Sequence, residues 1–306
     1  MISRDDVDRY IAYKRQLGFK LYNEERLLWR YVTHASAQGD QFLRTARMLE
    51  WAGIARSPST VRNRLDALRG FAIWLHAEEE RHEIPARHLG PGNKRRPAPR
   101  LMTRTEIRQL MDAALTLPPA DSITPHTYHC MFGLMAVTGL RRSEALALRF
   151  PDITPDGLVI RETKFRKSRL VPLHPTTWRA LERYLARRTQ VAGDDDHLFV
   201  LSTGKSPYPD TVTITFAALA RRIGLRTELG RSGPRLHDLR HSMAVRALER
   251  AIATDRDGVN RHILALTTYL GHGNVASTYW YLEATPALLR QVARLAEKTH
   301  NERTSK

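Results

Sequence analysis

Arg87-His-Leu-Gly-Pro-Gly-Asn-Lys-Arg-Arg-Pro-Ala-Pro-Arg-Leu-Met-Thr-Arg104 divides the chain. Pro91, Pro97 and Pro99 oppose a helix, and Gly90 and Gly92 loosen the backbone. Arg87, Lys94, Arg95, Arg96, Arg100 and Arg104 are met by no acidic residue within the stretch. Taken alone, this is a solvated hinge. Uncompensated cations between two folded blocks also suit a strap along a phosphate backbone, with Lys94, Arg95, Arg96 and Arg100 as the contact candidates. A length of 306 residues agrees with two domains. The expected layout is a helical domain over 1–88, a basic linker over 89–102 and a second domain over 103–306.

N-terminal to the linker, the pattern is helical throughout. Ser3 is a plausible N-cap, with Asp5 and Asp6 in a first turn where carboxylates suit the helix dipole. Val7, Tyr10, Ile11, Tyr13 and Leu17 recur at helical spacing, and Gly18 is the stop. A second helix is expected from Asn23, with Leu27, Leu28, Tyr31 and Val32 on one face. A third runs from about Phe42 to Trp51. Ser59 or Thr60 caps a fourth, which turns Val61, Leu65, Leu68, Phe71, Ala72 and Leu75 inward. Four such amphipathic helices can share one small core.

C-terminal to the linker, the pattern is mixed. Thr103 with Glu106 reads as a capping box, and a second helix covers about 124–137. Strand-like stretches follow at 157–160 and 170–173, with the polar turn Thr163-Lys-Phe-Arg-Lys-Ser168 between them. Helices are expected at about 175–188, 210–223, 236–250, 258–269 and 274–282. A last amphipathic stretch holds Leu288, Leu289, Val292 and Leu295. The fold class is therefore mainly α with a small antiparallel β-sheet, and no internal repeat is visible.

Composition narrows the function. The chain carries 49 Lys+Arg against 32 Asp+Glu, a net charge of +17, which favours a polyanionic partner. A hydrophobic content of 42% is enough for a core. One cysteine, Cys130, excludes an intramolecular disulfide and a CxxC zinc site, and fits a reducing cytosol. No segment approaches the ~18 apolar residues of a membrane span, and the N-terminus has no signal-peptide run. Gly204-Lys-Ser206 resembles the end of a P-loop, but the glycine required five residues earlier is Phe199. His126 and His129-Cys130 read as ordinary helix residues. His237 and His241, at i and i+4, resemble a zinc pair, but Asp238 replaces the general-base Glu and Arg240 would set a cation beside the metal.

Four separated segments share another theme. In Thr138-Gly-Leu-Arg-Arg-Ser-Glu144 a helix begins at Arg141 and Arg142, a natural phosphate site; alone, Arg141 would simply pair with Glu144. Lys164 and Lys167 lie in the hairpin turn, where a lysine can reach over a ligand; alone, they are a charged tip. His237 and Arg240 share a helix face. His272, in Leu270-Gly-His272, precedes Tyr281 by nine residues; a tyrosine in such an aromatic patch is usually core.

In this order and at these spacings, the set resembles the tyrosine recombinase (phage integrase) family, over about 103–285. The length resembles its two-domain, Xer-like members. The resemblance implies an N-terminal helical core-binding domain of SAM-like type and a mixed α/β catalytic domain. Carried over residue by residue, Arg141, Lys164, His237, Arg240, His272 and Tyr281 form the implied catalytic set. Tyr279 remains an alternative to Tyr281, Arg142 to Arg141 and Lys167 to Lys164; spacing and alignment favour the first-named set. Glu144 is expected to orient the first arginine.

Breaking a phosphodiester without water needs a protein nucleophile. A tyrosine, with a resting pKa of about 10, must lose its proton during attack. His237 is the candidate acceptor. Arg141 and Arg240 would clamp the non-bridging oxygens, with a hydrogen bond from His272. The resemblance further implies proton donation by Lys164 to the 5′-oxygen, a 3′-phosphotyrosyl link and a Holliday junction. It implies neither metal nor ATP. The implied partners are double-stranded DNA and three further copies in a homo-tetramer, with no membrane. Localisation would be cytoplasmic, at the nucleoid. Two rivals are a non-cleaving DNA-binding regulator on the same fold and a type IB topoisomerase.

Overall fold

The structure, a computed structural model, describes residues 2–90, 100–161, 168–191, 193–227, 233–250 and 256–271, together with 278 and 281. The chain forms two compact units, Met1–Arg96 and Pro97–Lys306.

In the first unit, α1 (Arg4–Gln16), α2 (Tyr22–Ala37), α3 (Thr45–Gly53) and α4 (Pro58–His76) surround one core. Val7, Ile11, Leu28, Tyr31, Met48, Leu68, Phe71 and Leu75 fill it. Ser3 and Asp6 form a reciprocal capping box at the start of α1. The other starts depart from the sequence reading. Leu21, in the left-handed region at φ 48°, precedes α2, so the helix enters at Tyr22 rather than at Asn23. Helix α3 begins at Thr45, after Arg44. Ser57, not Ser59 or Thr60, caps α4: its hydroxyl accepts from the Thr60 amide at 3.1 Å, and Pro58 takes the first helical position. Proline there loses nothing, because that amide has no intrahelical partner. Buried His82 accepts from the Leu43 amide at 3.1 Å, and burial lowers its pKa, which suits a neutral acceptor.

The second unit starts with α5 (Arg104–Ala114), α6 (Ile123–Thr138) and α7 (Arg142–Ala147). A 3₁₀ turn, Phe150–Asp152, leads into β1 (Ile153–Thr154), β2 (Gly157–Ile160) and β3 (Arg169–Val171). The sheet is antiparallel in the order β1-β2-β3, with Leu158 opposite Val171 and Ile160 opposite Arg169. Helices α8 (Pro175–Arg188), α9 (Pro209–Arg222), α10 (Asp238–Arg250) and α11 (Arg256–Leu270) complete the described elements. The unit is mainly helical with one small sheet, as the pattern implied.

Helix α6 is the axis of this unit. It is apolar on nearly every side and packs against α5, α8 and α10. The Thr103–Glu106 capping box forms at α5, with the Thr103 amide donating to Glu106 at 2.7 Å. Ser242 on α10 accepts from the Met102 amide at 2.7 Å, and Arg246 donates to the Met102 carbonyl at 3.0 Å, so α10 anchors the chain just before α5. A smaller apolar cluster joins α10 to α11 through Ala244, Val245, Leu248, Ile263, Leu266 and Leu270, and includes Tyr281. Among the described residues, no helix is long and apolar enough to cross a membrane.

Candidate active site

The site grows from three helix ends. Helix α6 stops at Gly139, which sits at φ +67° and turns the chain into α7. A Cβ there would lie 3.0 Å from Leu270 and 3.2 Å from the Met243 sulfur, so glycine serves both the turn and the close approach of α10 and α11.

Arg141 is the residue from which α7 springs. Its amide donates to Glu144 Oε2 at 2.9 Å, and its Nη1 to Glu144 Oε1 at 2.6 Å. Its Nη2 donates to the Gly271 carbonyl at 3.0 Å. Arg142 turns elsewhere: it donates to the Pro209 carbonyl at 2.9 Å and to the Thr213 hydroxyl at 2.6 Å, bracing the start of α9.

Arg240, in the first turn of α10, is buried. It donates to the Gly139 carbonyl at 2.6 Å and to the Leu270 carbonyl at 2.7 Å, pinning the ends of α6 and α11 together. Burial, reinforced by the nearby charge of Arg141, lowers its pKa to about 10, which leaves it cationic at neutral pH. Arg169 on β3 donates through Nε to the Tyr269 carbonyl at 2.8 Å. Three successive carbonyls at the end of α11 thus accept from three arginines drawn from three elements. Helix physics explains the attraction, since the last carbonyls lack intrahelical donors and carry the negative end of the dipole.

Glu144 joins two of these arginines. Arg169 grips it through both terminal nitrogens, at 3.1 Å to Oε1 and 2.8 Å to Oε2. Burial pushes the carboxyl's pKa up, but the hydrogen bonds from Arg169 and from the Arg141 amide, with both positive charges, outweigh it and hold the pKa at about 2.

The aromatic side of the site lies on α10 and its flank. His237 is exposed at the entrance to α10, and its ring meets that of His241 edge-on, with centroids 4.5 Å apart. His241 is buried, and its Nδ1 lies 3.2 Å from the Tyr281 hydroxyl. Tyr281 is 2% exposed. Thr278, three residues earlier, accepts from the Thr267 hydroxyl on α11 at 2.8 Å, tying this segment to α11.

The structure therefore brings Arg141 and Arg240 together at the end of α11, and His237 and Tyr281 to His241 on the helix that carries Arg240. Arg100 is tied to its own unit, donating to Glu106 at 3.0 Å. Lys164, Lys167, His272, Tyr279, Lys94, Arg95 and Arg96 lie outside the described residues, as do the segments expected as a helix at 274–282 (Thr278 and Tyr281 apart) and as an amphipathic stretch at 288–295. Two site residues escaped the sequence reading. The sequence pattern offers His241 only as half of a zinc pair, although i+4 spacing puts it on the face of His237. Arg169 went unnoticed, although alternation along β3 puts it on the face of buried Val171 and opposite that of exposed Leu170. Among the described residues, the His, Cys, Asp and Glu side chains close enough to share a metal are Asp195, Asp196 and His197, away from the His237–His241 pair.

Solved structures share the fold. The XerH site-specific recombinase, in a post-cleavage complex with a palindromic difH substrate, aligns with a TM-score of 0.66 at 19% identity, covering 97% of this chain and 86% of that one. The Tn1549 transposon integrase, in complex with transposon right end DNA, aligns with a TM-score of 0.69 at 17% identity, covering 97% and 100%. The fold is shared with these recombinase and integrase structures.

Sequence comparison gives the family itself. The model of the phage integrase family matches residues 100–287. A Sinorhizobium fredii protein, provisionally named integrase/recombinase y4rB, is 38% identical over 98% of this chain and 99% of its own length. The tyrosine recombinase XerC of Pseudomonas savastanoi pv. phaseolicola is 29% identical over 91% and 82%. The chain belongs to the phage integrase family, that is, to the tyrosine recombinases.

Proposed function

We propose that this tyrosine recombinase cleaves and rejoins duplex DNA at a specific site through a 3′-phosphotyrosyl link on Tyr281. One observation carries the reading: Arg141 and Arg240 reach adjacent carbonyls of one helix end, and the Tyr281 hydroxyl is hydrogen-bonded to the helix that carries Arg240. The scissile phosphate sits against the two guanidiniums, which stabilise the charge on its non-bridging oxygens as the phosphorane forms. Losing one such donor costs about 10²–10³ in rate. His272 adds a hydrogen bond to the same oxygens. The Tyr281 proton leaves toward the His237–His241 pair as the phenol oxygen attacks phosphorus. The 5′-oxygen departs with a proton from Lys164. A 5′-hydroxyl of the partner strand then attacks the phosphotyrosine and releases Tyr281, so the bond energy is conserved.

The domain roles follow this chemistry. Residues 1–88 form the core-binding domain, 89–102 the basic linker and 103–306 the catalytic domain. Four copies act on two duplexes through a Holliday junction, in the cytoplasm at the nucleoid.

The test is a covalent trap. Nicked suicide duplexes from the DNA around the gene are incubated with wild type, Tyr281→Phe and Tyr279→Phe, and SDS-resistant adducts are scored. The expected result is an adduct lost only in Tyr281→Phe. Survival in Tyr281→Phe with loss in Tyr279→Phe would move the nucleophile to Tyr279. Tight, sequence-specific binding with no adduct from any variant would make the chain a non-cleaving regulator.

A further inference from the structure

We propose that Arg169 is a positioning residue for strand cleavage: it sets the Arg141 guanidinium, through Glu144, in the place where the scissile phosphate is clamped. This inference rests on the reaction proposed above.

The geometry is specific. Arg169 uses both terminal nitrogens on Glu144 and its Nε on the Tyr269 carbonyl. Glu144 uses the same two oxygens to hold the amide and the Nη1 of Arg141. Arg169 is therefore one step removed from the clamp, and its side chain is only 11% exposed, against 29% for Arg141. Arg169 commits both terminal nitrogens to the carboxylate, whereas Arg141 gives it one, so Arg169 is the guanidinium that serves the protein.

Charge explains why two arginines share one carboxylate. Arg141 alone with Glu144 would form a neutral pair, with little attraction left for an anion. Adding Arg169 makes the trio net cationic, so Arg141 keeps its pull on a phosphate while its orientation is fixed. Lysine cannot replace Arg169 here, because a single ammonium cannot span both carboxylate oxygens and the Tyr269 carbonyl at once. The backbone has been shaped around this side chain. Gly271 lies at φ +63°, and a Cβ there would come within 2.8 Å of Arg169 Nη1.

Arg169 also sits at the root of the hairpin. It opens β3 opposite Ile160, the last residue of β2. One side chain thus links the hairpin strand, the start of α7 and the end of α11.

The test compares wild type, Arg169→Lys, Glu144→Gln and the double variant on a nicked suicide duplex at saturating protein. The adduct formation rate, the DNA affinity and the urea midpoint are measured for each. Arg169→Lys should slow adduct formation by about 10²-fold, the cost of a misplaced catalytic group, with DNA affinity unchanged within about twofold. The double variant should be no slower than the slower single variant, because both act on the same arginine. A duplex with a methylphosphonate at the scissile position lacks the charge that Arg141 meets, and on it the Arg169→Lys penalty should shrink to a few-fold.

An unchanged rate in Arg169→Lys overturns the proposal. So does a penalty that stays the same on the methylphosphonate, or that tracks the loss in urea midpoint, since either marks Arg169 as purely structural. If wild type itself forms no adduct, the recombinase reading fails first and this proposal falls with it.

Discussion

Glu144 is a buried carboxylate whose ionised form the fold prefers strongly. Its pKa falls from 4.5 to about 2, because the gain from Arg169 and Arg141 exceeds the penalty of burial. A depressed carboxyl pKa adds stability that is fully present above the unfolded value and is lost as pH falls toward the folded one. The Glu144 contribution is therefore intact above about pH 5 and lost between pH 5 and pH 2. Glu144→Gln should be less stable than wild type at pH 7, and the gap should narrow as pH falls to 3.5. Urea unfolding at the two pH values checks this; a gap that widens on acidification would contradict the assignment. At this scale the sequence was partly legible. Spacing alone put Glu144 beside Arg141, and the order of motifs singled out Arg240. The role of Arg169 was hidden, because its partners lie 25 and 100 residues away and no local pattern encodes them. Spacing put the histidine pair on one face, and the zinc reading was set aside on Asp238 and Arg240, but spacing reports which side chains converge, not on what.

Elements were legible in kind and less so in their ends. The described helices of the second unit lie within about two residues of their expected spans, β2 matches 157–160, β3 covers 169–171 rather than 170–173, and β1 had no counterpart in the pattern. Missed starts cluster in the first unit; at α2 and α4 a polar residue further along the chain competed with the true start, while α3 begins three residues after the expected Phe42. Ser57 illustrates the point: Ser57, Ser59 and Thr60 are all chemically able to cap, and Pro58 decides among them by preferring the first helical position. Ser57→Ala should destabilise the first unit by about 1 kcal/mol, while Ser59→Ala should change it by less than about 0.5 kcal/mol. Denaturant unfolding followed by tryptophan fluorescence measures both, and equal losses would refute the cap. Leu21 escaped prediction for a different reason. A leucine at positive φ has no sequence signature; it is held there by packing against the helical core.

At the scale of the whole molecule, the charge dominates. A net +17 makes binding to DNA a counterion-release process, so log affinity should fall linearly with log salt, by roughly 0.9 per phosphate neutralised. Replacing Lys94, Arg95 and Arg96 together by glutamine should lower that slope by about one per residue, uniformly across DNA sequences. Fluorescence anisotropy from 50 to 300 mM salt reads this directly, and a slope unmoved by the triple substitution would remove the linker from the interface. Two-unit organisation was legible because composition changes abruptly at the proline-rich stretch. The convergence of distant segments on one helix end was not, because composition carries no information about which loops meet.

The three arginines at the end of α11 hold main-chain oxygens. A main-chain oxygen survives every substitution, so point changes at 269 and 270 act on the packing of those side chains and leave the acceptors in place. The vulnerable quantity is the phase of the helix. One residue inserted into α11 turns its last carbonyls by about 100° and advances them by about 1.5 Å, and all three arginines lose their partners together. The clamp is tolerant of spelling changes and intolerant of a shift in frame along the helix.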